Sequence, residues 1–249
     1  GDEKAADHAA VEAMRAAFNE LDFDGTVVIG EGERDEAPML YIGEKVGCGQ
    51  GTGPKIDIAL DPLEGTTITA KAGPNALAVL AIAEEGGLLN APDVYMDKIA
   101  IGPGYEAGLV GLDRTPTENV KALAKAKGVQ PNEIIACVLD RPRHEKLIAE
   151  LRGLGCGIML IPDGDVAGVI AVTNPDTTID IYLGSGGAPE GVLAATTCVV
   201  SAAPSLPQAY NAAIDGIAAA NRAGRIAKYF ATSLASENVV SAPRVMSCC

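Results

Sequence analysis

Residues 134–165 read IIACVLDRPRHEKLIAELRGLGCGIMLIPDGD, and this stretch decides the class of fold. An apolar run of strand length at 134–139 is followed by a helical pattern at 144–152 and by a second apolar run at 157–161. Continuous apolar strands on either side of a helix are typical of parallel strands that are buried on both faces. The stretch therefore predicts an α/β layer.

The same alternation continues on both sides of this stretch. Thr115 and Glu118 form a capping box with proline at the first helical position, and Gly128 ends that helix. A helix and a strand follow residue 165, so we expect a doubly wound unit with parallel strands over residues 115–197. In such units ligands gather at the carboxyl ends of the strands. The segments at those ends are polar or rich in glycine: 140–143, 162–165 and 184–187.

The regions that flank this unit have a different character. Residues 1–114 contain an amphipathic helix at 6–21, a strand at 55–60 and an apolar run at 76–83 that we expect to turn into a hairpin. Residues 198–249 are rich in Ala, Ser and Pro and carry weak strand signals. The predicted fold class is α/β, with an α+β half, a doubly wound α/β half and a divergent tail, and with the C-terminal part of the fold incomplete.

Composition excludes several classes of function. The 249 residues carry a formal charge of −14, which argues against nucleic-acid binding because that depends on basic side chains. Six cysteines without C-x-x-C spacing argue against a zinc site, and no apolar stretch approaches the roughly 18 residues of a membrane span. The chain begins at Gly1 rather than Met, so we expect a fragment or a processed product.

The segment Asp61-Pro-Leu-Glu-Gly-Thr66 carries the clearest chemistry. Asp61 closes a predicted strand, and its carboxylate and that of Glu64 are ligands that hard cations such as Mg²⁺ or Mn²⁺ prefer. Gly65 allows the backbone to approach an anion closely, and Thr66 offers a hydroxyl and an amide to a phosphate. An ordinary turn at a strand end is the alternative.

Other acidic residues and the two histidines support this chemistry to different degrees. Glu31 follows a strand between two glycines and is a candidate ligand, whereas Asp7 alone is more typical of a residue near a helix start. Asp57 is either a second-layer residue behind Asp61 or a hydrogen-bonded partner. His144 is more consistent with a capping or packing residue than with a general base. His8 has no supporting context.

Six segments resemble class II fructose-1,6-bisphosphatase, including the cyanobacterial-type enzymes that also cleave sedoheptulose-1,7-bisphosphate. The resemblance runs in order from Gly1 to about Thr197, and Glu64 stands where the related inositol monophosphatases usually have Asp. It implies the layered sugar-phosphatase fold shared by both groups. The segments are VIGEGERDEAPMLYIGE (28–44), DPLEGTT (61–67), APDVYMDK (91–98), DRPRH (140–144), PDGDV (162–166) and GGAPEG (186–191).

The resemblance also implies a role for each site residue. Asp7 and Glu31 would hold one Mn²⁺ or Mg²⁺ ion, while Asp61, Glu64 and Glu190 would hold another. Catalysis would rest on Thr66, which positions the attacked phosphoryl group or its water, together with Glu64 and Asp61. The sugar bisphosphate would contact Glu64, Gly65, Thr66, Tyr95, Arg141, Pro142, Arg143, Asp163, Gly164, Asp165 and Gly187.

Arg141 and Arg143 are spaced to offer guanidinium groups to the second, uncleaved phosphate, although Arg143 could instead form a surface ion pair with Glu145. Asp163 and Asp165 have no evident basic partner, so they are candidates to accept sugar hydroxyls or to cap a helix. Tyr95 alone is typical of a half-buried core residue.

The implied function is metal-dependent hydrolysis of the 1-phosphate of fructose-1,6-bisphosphate, or of sedoheptulose-1,7-bisphosphate, in gluconeogenesis, glycerol metabolism or the Calvin cycle. The alternatives are an inositol-monophosphatase-like phosphatase and a non-catalytic homologue. The family commonly has Lys where Glu3 stands, and its C-terminal strands have no counterpart in residues 198–249, so we expect reduced or absent activity. We also expect a cytoplasmic or plastid location and assembly into a homodimer or homotetramer.

Overall fold

The computed structural model describes residues 1–32 and 38–201. Within them the chain divides into two compact units, with the boundary between Ala91 and Pro92. The sequence placed the boundary at 114/115, where helices begin to alternate with strands. The difference arises because the strand Tyr95–Ile101 pairs with a strand of the second unit. Most of the divergent tail lies outside the described residues.

The first unit contains a four-stranded mixed sheet and two helices. Its elements are α1 (Glu3–Phe18), β1 (Asp24–Ile29), β2 (Lys45–Val46), β3 (Lys55–Glu64), α2 (Thr66–Ala70) and β4 (Leu77–Glu84). The sheet order is β2-β1-β3-β4, and β1 runs parallel to β3 while the other neighbours are antiparallel. Val11 and Phe18 of α1 pack with Val27, Ile58 and Leu60 of the sheet in one apolar core. The α+β character expected from the sequence is therefore present.

Helix α1 begins and ends three residues earlier than the sequence suggested. Asp2 is the N-cap, and its side chain accepts hydrogen bonds from the backbone N–H groups of Lys4 and Ala5. The helix stops at Phe18, and Leu21, expected to complete the apolar stripe, is 46% exposed. Asp7 therefore lies in the second turn, where it has no capping role.

Strand β3 does not end at Asp61, which corrects the sequence prediction. Asp61 pairs with Val79 and Glu64 pairs with Leu77, so three steps along β3 oppose two steps along β4. One extra residue in an antiparallel pair is a β-bulge, and proline is tolerated at such a point because it has no N–H to donate. The hairpin expected after 76–83 is also absent from the described residues, since β4 pairs only with the preceding β3.

The second unit contains the α/β layer. Its elements are β5 (Tyr95–Ile101), α3 (Pro116–Lys127), β6 (Ile135–Leu139), α4 (Glu145–Gly153), β7 (Gly157–Ile161), α5 (Asp165–Thr173), β8 (Ile181–Gly187) and α6 (Ala188–Ser201), with short 3₁₀ turns at Pro131–Glu133 and Pro142–His144. The capping box of α3 and its left-handed Gly128 are both present.

The sheet order of this unit is β5-β8-β6-β7, with β6 parallel to both β7 and β8. The chain leaves β6 toward β7 and then returns to the other side of β6, which is the reversal of a doubly wound sheet. β5 adds an antiparallel edge strand that was not expected from the sequence. The segment 184–187, expected just beyond the end of a strand at Leu183, belongs to β8 because it pairs with β5 along its length.

No helix in the described part of the chain is long and apolar enough to cross a membrane.

Candidate metal and phosphate site

The bulge of β3 brings two acidic residues to the end of the strand. Asp61 is half-buried, and its Oδ1 accepts a hydrogen bond of 3.0 Å from the N–H of Leu63 inside the bulge. Glu64 is 6% exposed. Gly65 follows with a φ of +95°, in the left-handed region, where an added Cβ would lie 3.1 Å from Ile68 Cδ1. Thr66 then starts α2, as expected from its place in the motif.

Asp57, on the same strand, stabilises a turn by accepting hydrogen bonds. Its Oδ2 accepts hydrogen bonds from the backbone N–H groups of Gly86 and Leu88, at 2.8 and 3.3 Å. The side chain is buried, and it fixes the turn that follows β4. Of the two roles left open by the sequence, the structure supports the hydrogen-bonded partner.

Glu31 and Asp7 form the second acidic pair of the first unit. Burial, and then the negative charge of Asp7, raise the pKa of Glu31 from 4.5 to about 7. Glu31 follows Gly30, where an added Cβ would lie only 2.0 Å from the carbonyl oxygen of Leu40. The close backbone approach required at Gly30 therefore fixes the turn that carries Glu31, and two carboxylates are held near each other.

The raised pKa of Glu31 predicts that the contribution of this residue to the stability of the metal-free protein falls as the pH rises. The native state disfavours the charged carboxylate, so the penalty begins above the ordinary pKa of 4.5 and is complete above about 7. We expect the urea midpoint of protein treated with a chelator to fall between about pH 5 and pH 8, relative to the Glu31→Gln variant. Equal midpoint changes in both proteins would contradict this prediction.

Glu190 is the acidic candidate of the second unit. It lies in the first turn of α6, and its Oε2 is buried without a hydrogen-bond partner among the described residues. An added Cβ at Gly187 would lie 1.9 Å from that oxygen. The glycine therefore leaves room for the carboxylate to fold back over the end of β8. A buried carboxylate oxygen without a donor is costly, and a bound cation would remove that cost.

The close approach of Gly187 to the Glu190 carboxylate predicts weaker metal binding in the Gly187→Ala variant. The new methyl group must displace the Glu190 carboxylate, because the carboxylate occupies the position of the added atom. We expect about tenfold weaker Mn²⁺ binding, measured by calorimetry. Gly153→Ala is the matched control, since an added Cβ at Gly153 meets nothing within 4 Å. Equal affinities in both variants would contradict the prediction.

Arg143 is placed to bind an anion. Its Nε donates a hydrogen bond of 2.9 Å to the carbonyl oxygen of Ser185, and its guanidinium carbon lies 4.8 Å from the centre of the Tyr95 ring. Among the described residues no hydrogen bond engages its two Nη atoms, and no ion pair joins it to Glu145. Tyr95 is 59% exposed, so it is a surface platform for the guanidinium, not the half-buried core residue suggested by the sequence.

Arg141 is turned onto the neighbouring loop. Its Nη1 donates to the carbonyl oxygens of Asp140 and Pro162, and its Nη2 lies 3.4 Å from Asp163 Oδ1. The expectation that Asp163 lacks a basic partner is therefore wrong. Pro142 opens the 3₁₀ turn between the two arginines. Arg141 joins the loops after β6 and β7, which leaves Arg143 as the better donor to a ligand.

Asp165 also has a basic partner, contrary to the sequence prediction. Its Oδ2 lies 2.5 Å from Lys98 Nζ, and both side chains are less than 8% exposed. Lys98 comes from β5 and was not among the expected site residues, because the sequence shows it only as a lysine beside Asp97 in a strand-like stretch. Gly164, with φ of +80°, precedes Asp165 at the start of α5.

His144 holds two backbone segments together. Its Nε2 accepts a hydrogen bond of 2.8 Å from the N–H of Ser185, so its Nδ1 carries the proton and donates to the carbonyl oxygen of Leu139, also at 2.8 Å. The ring is 3% exposed. Both nitrogens are engaged by the backbone, which confirms packing in place of general-base chemistry.

The described residues contain no cluster of three or more His, Cys, Asp or Glu side chains able to hold a metal ion. The first unit instead offers Asp7 with Glu31, and Asp61 with Glu64, all of them oxygen donors that suit Mg²⁺ or Mn²⁺. The assignment of Glu190 to the same ion as Asp61 and Glu64 stays a prediction.

Comparison with known proteins agrees with the resemblance seen in the motifs. The family described as bacterial fructose-1,6-bisphosphatase, glpX-encoded, matches residues 1–245, beyond the point near Thr197 where the motifs end. Fructose-1,6-bisphosphatase 1 class 2 of Escherichia coli (strain K12) is 51% identical over 195 residues, which are 78% of this chain and 57% of that protein. D-fructose 1,6-bisphosphatase class 2/sedoheptulose 1,7-bisphosphatase of Prochlorococcus marinus (strain NATL1A) is 48% identical over 195 residues, 78% of this chain and 58% of that protein.

The chain thus spans less than two thirds of the length of these relatives. The family match nevertheless covers more than half of the chain, so the chain belongs to the glpX-encoded family of bacterial fructose-1,6-bisphosphatases.

Proposed function

We propose that the chain hydrolyses the 1-phosphate of fructose-1,6-bisphosphate with Mn²⁺ or Mg²⁺ as cofactor. The observation that carries the proposal is the part-buried Glu31 held beside Asp7, where burial and then the negative charge of Asp7 raise the pKa of Glu31 to about 7. A bound cation would offset both effects and favour the charged carboxylate of Glu31. The acidic end of β3 supports the same chemistry, because Asp61 and Glu64 supply oxygen donors directly before Gly65 and Thr66.

The chain's own residues suit a phosphoryl-transfer site. Divalent cations, when bound by Asp7, Glu31, Asp61, Glu64 and Glu190, would neutralise phosphate charge and make a bound water more acidic. Thr66 offers its hydroxyl directly after the left-handed Gly65, which suits contact with the attacked phosphoryl group. Arg143 offers the donors of its Nη atoms to the uncleaved phosphate.

The side chains that could contact the sugar of the substrate lie in the second unit. Tyr95 presents an exposed ring, and Asp163 and Asp165 follow β7 near the start of α5. Asp165 is engaged by Lys98, so it would accept a sugar hydroxyl through its second oxygen. The name of the Prochlorococcus relative extends the proposal to sedoheptulose-1,7-bisphosphate.

The test is phosphate release by the purified chain in the presence of Mn²⁺, with fructose-1,6-bisphosphate, sedoheptulose-1,7-bisphosphate and inositol 1-phosphate as substrates. We expect release from the bisphosphates that a chelator abolishes. Preference for inositol 1-phosphate would favour the inositol-monophosphatase-like alternative. Calorimetric binding of fructose-1,6-bisphosphate without any release would favour the non-catalytic alternative and contradict the proposal.

The expectation of reduced or absent activity, drawn from Glu3 and from residues 198–249, stays a prediction because most of these residues lie outside the described part of the chain. The same assay tests it, since a rate typical of phosphatases would contradict it. A cytoplasmic location and assembly into homodimers or homotetramers are further proposals.

A further inference from the structure

The turn that carries Glu31 is tied to the segment 40–44 by a ladder of backbone hydrogen bonds. The N–H of Glu31 donates to the carbonyl oxygen of Leu40 at 3.0 Å, and the N–H of Ile42 donates to that of Gly32 at 2.9 Å. Val27 exchanges two further bonds with the same segment, to Gly43 and Glu44. The position of Glu31 therefore depends on where residues 40–44 are held.

Leu40 is the strained point of this segment. Its φ is +56°, in the left-handed region that a bulky side chain rarely adopts, and the residue is completely buried. Such a conformation persists only where surrounding contacts enforce it. One such contact is the Glu44 carboxylate, whose Oε2 accepts a hydrogen bond from the N–H of Leu40.

The Glu44 carboxylate is in turn held by helix α1. Its Oε1 lies 2.6 Å from Arg15 Nε, and the side chains of Arg15 and Glu44 are 22% and 11% exposed. Arg15 and Asp7 belong to the same helix, eight residues apart, which places their backbones about 12 Å apart along a rigid axis. A continuous set of contacts thus joins the helix that carries Asp7 to the backbone of Glu31.

We propose that Arg15 and Glu44 are positioning residues that set the separation between the Asp7 and Glu31 carboxylates. Arg15 anchors Glu44, Glu44 holds Leu40 in its left-handed conformation, and the Leu40 carbonyl oxygen fixes the Glu31 backbone. The inference deepens the proposed function, because it rests on a metal role for Asp7 and Glu31. The proposal gives neither Arg15 nor Glu44 a direct contact with the substrate or the metal.

The test combines two measurements on Arg15→Met, Glu44→Gln and the double variant. The first is the hydrogen-exchange rate of the Glu31 amide, which needs no metal. The second is the Mn²⁺ affinity by calorimetry, well below the unfolding temperature. We expect about tenfold faster exchange at Glu31 and about ten- to a hundredfold weaker Mn²⁺ binding in each single variant. The double variant should resemble the single ones, because both substitutions break the same contact.

Asp180→Asn is a matched control for loss of an ion pair whose carboxylate is mostly buried. Asp180 Oδ1 lies 2.5 Å from Lys127 Nζ, its Oδ2 accepts a hydrogen bond from the N–H of Ile135, and the side chain is 12% exposed. It thus bridges a cation and a backbone amide as Glu44 does, but in the second unit. We expect exchange at Glu31 and Mn²⁺ affinity to remain unchanged in this variant.

The positioning role of Arg15 and Glu44 and the proposed metal function can be contradicted independently of each other. Wild-type exchange at Glu31 in Arg15→Met and Glu44→Gln, with only a lower unfolding midpoint, would overturn the positioning role. If the unsubstituted chain bound no Mn²⁺, the proposed metal function would fail, while the exchange rates would still decide whether Arg15 and Glu44 hold the Glu31 turn.

Discussion

The Glu64→Gln variant is expected to release phosphate from fructose-1,6-bisphosphate about a thousandfold more slowly than the unsubstituted chain. Glutamine has nearly the same volume, so the change at this buried position removes a negative charge with little effect on packing. A neutral amide is a poor ligand for a hard cation, and the phosphoryl group would lose the cation that neutralises it. The measurement is initial phosphate release at saturating substrate, with both proteins at the Mn²⁺ concentration that just saturates the unsubstituted chain.

Asp57→Asn provides the control for this variant. Asp57 is a buried carboxylate on the same strand, but it accepts hydrogen bonds from the turn at Gly86 and Leu88. Its substitution should lower stability and leave the rate per folded molecule close to that of the unsubstituted chain. An equal loss of rate in both variants would show that Glu64 acts only through the fold of β3.

The Arg143→Ala variant is expected to raise KM for fructose-1,6-bisphosphate about ten- to a hundredfold, because a charge-assisted contact to phosphate contributes about 1.5–3 kcal/mol. The kcat should change little, since the second phosphate does not react. A substrate with a single phosphate, glucose 1-phosphate, should show the same KM with both proteins. The measurement is a comparison of KM and kcat for the two substrates.

Two arginines serve as comparisons for this prediction. Arg114 is an exposed arginine of the same unit that also donates to a backbone carbonyl oxygen, that of Leu109, so Arg114→Ala should leave KM unchanged. Arg141→Ala should have a smaller effect than Arg143→Ala, because Arg141 already donates to the loop after β7. A larger effect at Arg141 would contradict the assignment of Arg143 as the principal phosphate contact.

Features with local sequence signals were predictable. The capping box at Thr115, the alternation of apolar runs with helices and the turn at Gly65 each depend on a few neighbouring residues, and the structure contains all three. The acidic pairs were proposed from strand ends and from the resemblance, and the effect of Asp7 on the pKa of Glu31 agrees with one of them.

Features that depend on contacts between distant residues were not predictable. The bulge after Asp61 requires knowledge that β4 pairs with β3, and the pairing of Lys98 with Asp165 joins residues 67 positions apart. Arg15 and Glu44 likewise gave no separate signal, since each is typical of a solvated face until the fold places one against the other. The partners of Asp163 and Asp165 were missed for the same reason.

The number of Mn²⁺ ions bound per chain tests the central claim, which is that two groups of carboxylates each hold a divalent cation. Equilibrium dialysis of the unsubstituted chain should give two ions, and Glu31→Gln and Glu64→Gln should each give one at the same free Mn²⁺ concentration. Their double variant should bind none. The same number of ions in all four proteins would contradict the account.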